Sequence, residues 1–127
     1  MTPEIVHDWR TIAGQVADGR EVERPALKQA VKASLAELQA LVPGRSVEVR
    51  IPPFAAVQVI EGTTHRRGTP SAVVEADPQT WLLLVSGRLA WVEAVRTGRV
   101  RASGERSDLS SLLPLGGPRV DSKRFVQ

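Results

Sequence analysis

The longest regular pattern of apolar positions runs from residue 25 to residue 41, where apolar residues recur every three or four positions. That spacing is typical of one face of an α-helix, and charged residues such as Lys28 and Glu37 fall between the apolar ones. Pro43-Gly44 follows directly and ends such a helix. We therefore predict an amphipathic helix that covers a sheet. Its apolar stripe consists of Leu27, Val31, Leu35, Leu38 and Val42.

Apolar and polar residues alternate from residue 46 to residue 51, which predicts a first strand with one apolar face. Pro52-Pro53 cannot donate ladder hydrogen bonds and is interpreted as a break in the ladder. Further strands are predicted at residues 54–61, 72–76 and 99–103. The polar loop at residues 62–70 is expected to join the second and third strands as a hairpin. The fourth strand follows two helices, a connection long enough to cross the sheet.

Two short apolar helices are predicted between the third and fourth strands. Asp77 can cap the first helix, Pro78 suits its first turn, and Gly87 stops it. Gly98 ends the second helix before the fourth strand begins. Both helices are too apolar to lie alone on a surface. The apolar residues of the second helix are Leu89, Trp91, Val92 and Val95.

Residues 1–23 are predicted to be an N-terminal extension that forms an extra helix docked on the body of the protein. Thr2 can cap a helix that starts at Pro3, and Asp18-Gly19 can end it. Gly14 lowers the helix preference of this stretch by about 1 kcal/mol. The stripe that would dock comprises Ile5, Trp9, Ile12 and Val16.

A series of short motifs occurs in a fixed order between residues 24 and 115. They are Arg24-Pro25, residues 43–50 (PGRSVEVR), residues 86–89 (SGRL) and residues 94–109 (AVRTGRVRASGERSDL). This arrangement resembles the bacterial sterol-carrier-like proteins, relatives of the sterol carrier protein 2 family. The resemblance implies one domain at residues 24–115 and a C-terminal tail at residues 116–127.

The same resemblance implies an α/β (α+β) fold of the sterol-carrier-protein-2 type. In that fold a mixed twisted sheet of four or five strands is covered by helices on one face, with an apolar tunnel between them. The function it implies is non-catalytic binding or transfer of a sterol-like lipid or a fatty acyl chain. Because none of the matched residues is a catalytic group, the fold transfers better than the function.

The composition is that of one globular domain, with 127 residues of which 42% are hydrophobic and 24% charged. No window approaches the ~18 consecutive apolar residues of a membrane span, and the first residues do not have the pattern of a signal peptide. The lack of cysteine excludes disulfides, thiolate metal sites and cysteine nucleophiles. We expect a cytoplasmic protein with at most transient membrane contact.

A formal net charge of +3 results from 17 basic and 14 acidic residues, which are largely interleaved. Interleaved charges give only a modest positive field, so nucleic acid is not expected as a partner. Nucleic-acid binding would require a basic face and an affinity that falls steeply with salt. The residues of such a face would be Arg50, Arg66, Arg67, Arg99 and Arg101.

The sequence offers no recognisable catalytic or metal-binding pattern. Its two histidines, His7 and His65, lie far apart and have no flanking carboxylate at metal-ligand spacing. The serines lack the G-x-S-x-G elbow and an evident triad partner. We therefore expect no enzyme activity, no metal and no cofactor. Ser107 and Asp108 are interpreted as capping residues ahead of Leu109.

A ligand pocket is predicted between the two short helices and the face of the sheet that carries Val57 and Val59. Its other walls are Trp81, Leu84, Val85, Trp91, Val95 and Leu112. These side chains can equally form solid core, because burying a large apolar side chain contributes about 1.5–3 kcal/mol in either case. Arg66 and Arg67 are candidates for gripping a polar head group, since arginine offers planar paired donors.

The free energy of an empty cavity limits what such a pocket can be. A closed, empty cavity of ~300 Å³ would cost about 7 kcal/mol at ~24 cal/mol per Å³, which rivals the whole stability of a domain. A lipid-sized cavity should therefore be filled, open at a polar mouth, or collapsed. The alternative function is a ligand-free accessory module that packs on a partner enzyme. A homodimer is a further way to cover the apolar surface.

Overall fold

Two helices, three strands, two more helices and a fourth strand follow one another along the described part of the chain. The computed structural model describes residues 8–62, 72–104 and 107–116. The helices in these ranges are α1 (Trp9–Ala17), α2 (Arg24–Leu41), α3 (Pro78–Val85) and α4 (Trp91–Arg96). The strands are β1 (Val47–Ile51), β2 (Ala55–Val59), β3 (Ala72–Ala76) and β4 (Val100–Gly104). A 3₁₀ turn (Ser110–Leu112) follows β4.

The four strands form one mixed sheet in the order β2-β1-β3-β4. Strand β1 is antiparallel to β2 and parallel to β3, and β4 is antiparallel to β3. The predicted α+β fold with a mixed sheet is therefore confirmed, and the sheet has four strands in the part of the chain that the structure describes.

The predicted hairpin between the second and third strands is wrong. The hairpin instead joins β1 and β2, whose residues pair in register from Val47 with Val59 to Ile51 with Ala55. Its turn contains Pro52-Pro53, joined by a cis peptide bond, and the N–H of Phe54 donates to the carbonyl oxygen of Ile51 at 2.9 Å. Proline lacks an N–H but tolerates a turn, so the diproline reverses the chain instead of merely interrupting a strand.

The prediction that the chain crosses the sheet between the third and fourth strands is also wrong. Strand β4 lies beside β3 and antiparallel to it, with Val100 paired to Ala76. The chain thus leaves β3 and enters β4 at the same end of the sheet. Residues 77–99 form an excursion that returns to its starting point, because a turn at Gly87 separates α3 from α4.

One face of the sheet is covered by helices and the other is polar. On the covered face Val47, Val49 and Ile51 of β1 are completely buried, α2 packs against the sheet, and α3 packs against α2. The opposite face carries ion pairs between Arg50 and Glu48 at 2.9 Å and between Arg101 and Glu75 at 3.2 Å. This arrangement matches the alternation of apolar and polar residues in β1.

Helix α1 packs against both α2 and α3. It begins at Trp9, because Asp8 has extended backbone and its carboxylate accepts the N–H of Arg10 at 3.0 Å. The helix that carries Trp9 thus does not extend back through Asp8, and the predicted start at Pro3 and the stripe residue Ile5 lie outside the described residues. Of the remaining stripe, Trp9 and Ile12 are buried and Val16 is partly buried.

Candidate functional site

The candidate site is a groove of about 300 Å³ between α3, α4 and the chain around the 3₁₀ turn. It is open to solvent on one side, and its walls are mostly apolar. We call it the α4 groove. Its principal lining residues are Leu84, Leu89, Trp91, Val92, Leu113 and Pro114.

Helix α3 supplies Leu84 as the inner wall of the groove. Asp77 caps this helix through its two carboxylate oxygens, which accept the N–H of Thr80 at 2.7 Å and its hydroxyl at 3.1 Å. The cap and the proline at Pro78 fix where the helix begins. The position of Leu84 in the groove thus follows from residues that the sequence already marks as a helix start.

The turn after α3 brings the far wall of the groove close. Gly87 has a φ of 83°, a left-handed conformation that favours glycine. A Cβ atom on this residue would lie 3.2 Å from the ring of Pro114. The missing side chain therefore lets the C-terminal segment pack directly against the turn.

Helix α4 forms the outer rim of the groove. Ala94 is completely buried, so its side of the helix faces the core. Trp91 is partly buried and lines the groove. Val92 is 71% exposed and Val95 is 41% exposed. The groove is thus continued by an uncovered apolar strip on α4.

Trp81 lies in solid core. Its side chain is completely buried, and its indole Nε1–H donates to Ser34 Oγ at 2.9 Å. The Ser34 hydroxyl in turn donates to the carbonyl oxygen of Val31 at 2.9 Å. This buried pair ties α3 to α2.

The other predicted pocket residues are divided among different surroundings. Val59 and Val85 are completely buried, as Trp81 is, and none of the three lines the α4 groove. Val57 is partly buried on the helix-covered face of β2. Leu84 and Trp91 are therefore the two predicted residues that the structure brings together in this groove.

Leu112 lines a second, wider groove of about 500 Å³ on the other side of the 3₁₀ turn. Apolar side chains such as Ile60 share this lining with the carboxylates of Glu61 and Asp108. The backbone N–H of Ser110, which donates to Asp108 Oδ1 at 2.9 Å, and then the Ser110 side chain hold the pKa of Asp108 below its usual value. The predicted helix-capping role of Asp108 is wrong: the 3₁₀ turn has Leu109 as its N-cap and no side-chain cap hydrogen bond, and Asp108 instead accepts from Ser110, two residues on, in an Asx-type turn. Its negative charge favours neutral or cationic groups in this second groove.

The predicted head-group residues Arg66 and Arg67 lie outside the described residues, as do His7 and His65. Within the described ranges, no three metal-ligating side chains come together and no helix is long and apolar enough to span a membrane.

Four of the six principal groove residues are not part of the predicted pocket. Leu89 and Val92 are predicted on the apolar stripe of the second helix, but α4 begins at Trp91 and Leu89 precedes it. Leu113 and Pro114 belong to the chain after the 3₁₀ turn. For Leu113 and Pro114, the signal in the sequence is the apolar run at residues 112–115 (LLPL). This run follows the predicted cap at Ser107-Asp108 and is too short to form a helix that would bury it.

One family model matches most of the chain. Its description is bacterial SCP ortholog, and the match covers residues 23–115. This range includes the sheet, α2 to α4 and the 3₁₀ turn, and it leaves α1 outside. No curated protein matches the chain.

Proposed function

Because the chain belongs to the family of bacterial SCP orthologs, we propose that it binds an apolar or amphipathic small molecule in the α4 groove and carries it without chemical change. The family indicates lipid binding and transfer in general terms. The proposed ligand is a fatty acyl chain or a sterol-like lipid. In this proposal the protein acts in the cytoplasm, and no catalytic group takes part.

The observation that carries the proposal is an apolar groove that stays open beside a well-packed core. At about 300 Å³ the groove reaches the lower end of the range for small-molecule sites. A closed void of that size would cost about 7 kcal/mol, but an open groove does not carry this penalty. The groove can therefore persist without a ligand and accept one.

The tunnel implied between sheet and helices is a less favourable place for a ligand. Trp81, expected to line that tunnel, has a completely buried indole that is hydrogen-bonded to Ser34 of α2, and Val59 and Val85 are also completely buried. A ligand there would have to displace this packing. The proposal therefore keeps Leu84 and Trp91 as ligand contacts, and the head-group role of Arg66 and Arg67 stays a prediction.

Replacing Trp91 with alanine is expected to weaken uptake of a fatty acid at least about tenfold, because a large apolar wall contributes about 1.5–3 kcal/mol to burial. The free energy of unfolding should change by much less than for a core tryptophan, since Trp91 is only partly buried. Uptake is measured by titration with 11-(dansylamino)undecanoic acid. Leu41→Ala is the matched control, because Leu41 is 48% exposed on α2 and does not line the groove.

Native mass spectrometry of freshly purified protein, before and after organic extraction, tests the proposal without an added probe. A lipid that co-purifies consistently and is lost on extraction supports carriage. A clean mass of the bare chain, together with no uptake of the dansylated fatty acid, would refute it.

The second candidate function is a ligand-free module that packs on a partner protein. The observation in its favour is the exposure of Val92 and Val95 on α4, since contiguous exposed apolar surface often marks a binding interface. Replacing Val92 with aspartate should disrupt such a complex. Under the carrier proposal the same replacement should weaken fatty-acid uptake. The module is favoured if Val92→Asp abolishes the complex and the unaltered protein takes up no fatty acid.

A further inference from the structure

A clasp centred on Arg10 fastens the C-terminal wall of the α4 groove to the N-terminal helix. The Arg10 guanidinium Nη2 donates to Glu37 Oε2 at 2.9 Å and to the carbonyl oxygen of Leu115 at 3.3 Å. The same guanidinium lies 4.2 Å above the ring of Trp9, whose Nε1–H donates to Glu37 Oε1 at 3.0 Å. One side chain thus joins α1, α2 and the segment after the 3₁₀ turn.

The segment held by this clasp is the C-terminal wall of the groove, opposite α3 and α4. We call residues 109–116 the strap. Its ends are anchored by the buried side chains of Leu109 and Leu115, and the N–H of Leu115 donates to the carbonyl oxygen of Val85 at 2.9 Å. Between these anchors, Leu113 and Pro114 line the groove opposite α3 and α4.

The Arg10 guanidinium packs directly against the backbone of Gly116, where a side chain would leave no room for it. Gly116 has a φ of 62°, and a Cβ atom built on it would overlap Arg10 Nη2. The guanidinium is the mobile end of a long side chain, so a larger residue at this position would displace it while leaving the core in place. A substitution at either Arg10 or Gly116 should therefore break the clasp.

We infer that Arg10 positions the strap and thereby sets the rate at which a ligand enters and leaves the α4 groove. This inference rests on the proposed function, because it concerns access to the same groove. The hydrogen bond from Arg10 reaches the residue next to Pro114, so its loss releases the groove wall rather than the sheet. Helix α1, which lies outside the family match, thus takes part in control of the groove.

The test compares Arg10→Ala and Gly116→Ala with the control Arg20→Ala. Arg20 is exposed just beyond α1 and forms no ion pair with the residues that the structure describes. Arg20→Ala therefore removes the same single positive charge as Arg10→Ala without breaking the clasp. Protein loaded with 11-(dansylamino)undecanoic acid is mixed with excess phosphatidylcholine vesicles in a stopped-flow instrument. Both clasp variants should release the probe about tenfold faster, as expected for one lost charge-assisted hydrogen bond. The control should stay within about twofold of the unaltered protein.

Hydrogen exchange separates a local role from a general loss of stability. The amide of Leu115 should exchange about tenfold faster in both clasp variants, while the amide of Val49 in β1 should not change. Release at the unaltered rate in either variant, or equal acceleration at Leu115 and Val49, would overturn the inference. If the unaltered protein takes up no probe, the proposed function fails, and the exchange of Leu115 alone decides whether Arg10 holds the strap.

Discussion

Replacing Trp81 with alanine is expected to lower the free energy of unfolding by about 3–5 kcal/mol, the range for truncating a buried aromatic residue. The indole is completely buried, so the substitution leaves a cavity between α2 and α3. It also removes the donor to Ser34, whose hydroxyl has no access to solvent. Urea unfolding followed by circular dichroism measures the loss, with the slope of the transition checked for constancy.

Trp81→Phe is the matched variant, because it keeps most of the volume and removes the indole N–H. Its expected loss is about 1–3 kcal/mol, the penalty for a buried polar group left without its partner. A loss below about 1 kcal/mol for Trp81→Ala would mean that the indole is not packed as core. The predicted pocket between the sheet and the helices would then be the better candidate for the ligand site.

Replacing Gly44 with alanine is expected to lower the free energy of unfolding by about 2–5 kcal/mol, from overpacking and backbone strain together. A Cβ atom at this position would overlap the carbonyl group of Ile60, and backbone cannot move aside as a side-chain end can. Gly44 also has a φ of 150°, which other residues rarely adopt. The same urea unfolding experiment measures the effect.

The surroundings of Ile60 explain why relaxation at this site is difficult. Ile60 itself has a φ of 65°, unusual for a β-branched residue. Its N–H donates to the carbonyl oxygen of Val42 at 2.7 Å, and its own carbonyl oxygen accepts from the N–H of Ser46 at 3.0 Å. Movement of Ile60 would therefore break hydrogen bonds at the start of the sheet.

Gly19→Ala is the control for this substitution. Gly19 has a φ of 79°, but no heavy atom lies within 4 Å of the position of its Cβ. Only the conformational penalty of about 1–2 kcal/mol is expected there. Equal losses at Gly44 and Gly19 would contradict the close backbone approach between Gly44 and Ile60.

Local signals in the sequence predicted most of the elements. The start of α3 followed from Asp77-Pro78 and its end from Gly87, and β3 follows its apolar run at residues 72–76. These boundaries depend on caps and turns within a few residues, which a single sequence displays directly. Helix α2 was predicted within one residue at its start for the same reason.

The order of the strands could not be read in the same way. Strand β1 pairs with β2 through the Pro52-Pro53 turn and with β3 through a parallel ladder, so neighbours along the chain and neighbours in the sheet differ. Periodicity reports which residues share a face but not which strands pair. The hairpin was therefore assigned to the polar loop, the more familiar turn sequence, and not to the diproline.

The candidate site was predicted only in part, because two similar tryptophans have different roles in the packing. Trp81 and Trp91 both stand in apolar helical runs, but Trp81 meets Ser34 of α2, which lies 47 positions away in the chain. Trp91 lies at a helix start and is only partly buried. Such a difference arises from long-range contacts that spacing along the chain does not encode.

Quenching of tryptophan fluorescence by 9,10-dibromostearic acid locates the bound chain, since bromine quenches an indole that it touches. The protein has three tryptophans, so Trp9→Phe, Trp81→Phe and Trp91→Phe can be compared under one condition. We expect quenching to persist in the first two variants and to be lost in Trp91→Phe, because Trp91 alone of the three lines the α4 groove. Quenching that persists in Trp91→Phe but disappears in Trp81→Phe would place the ligand in the core and refute the α4 groove as its site.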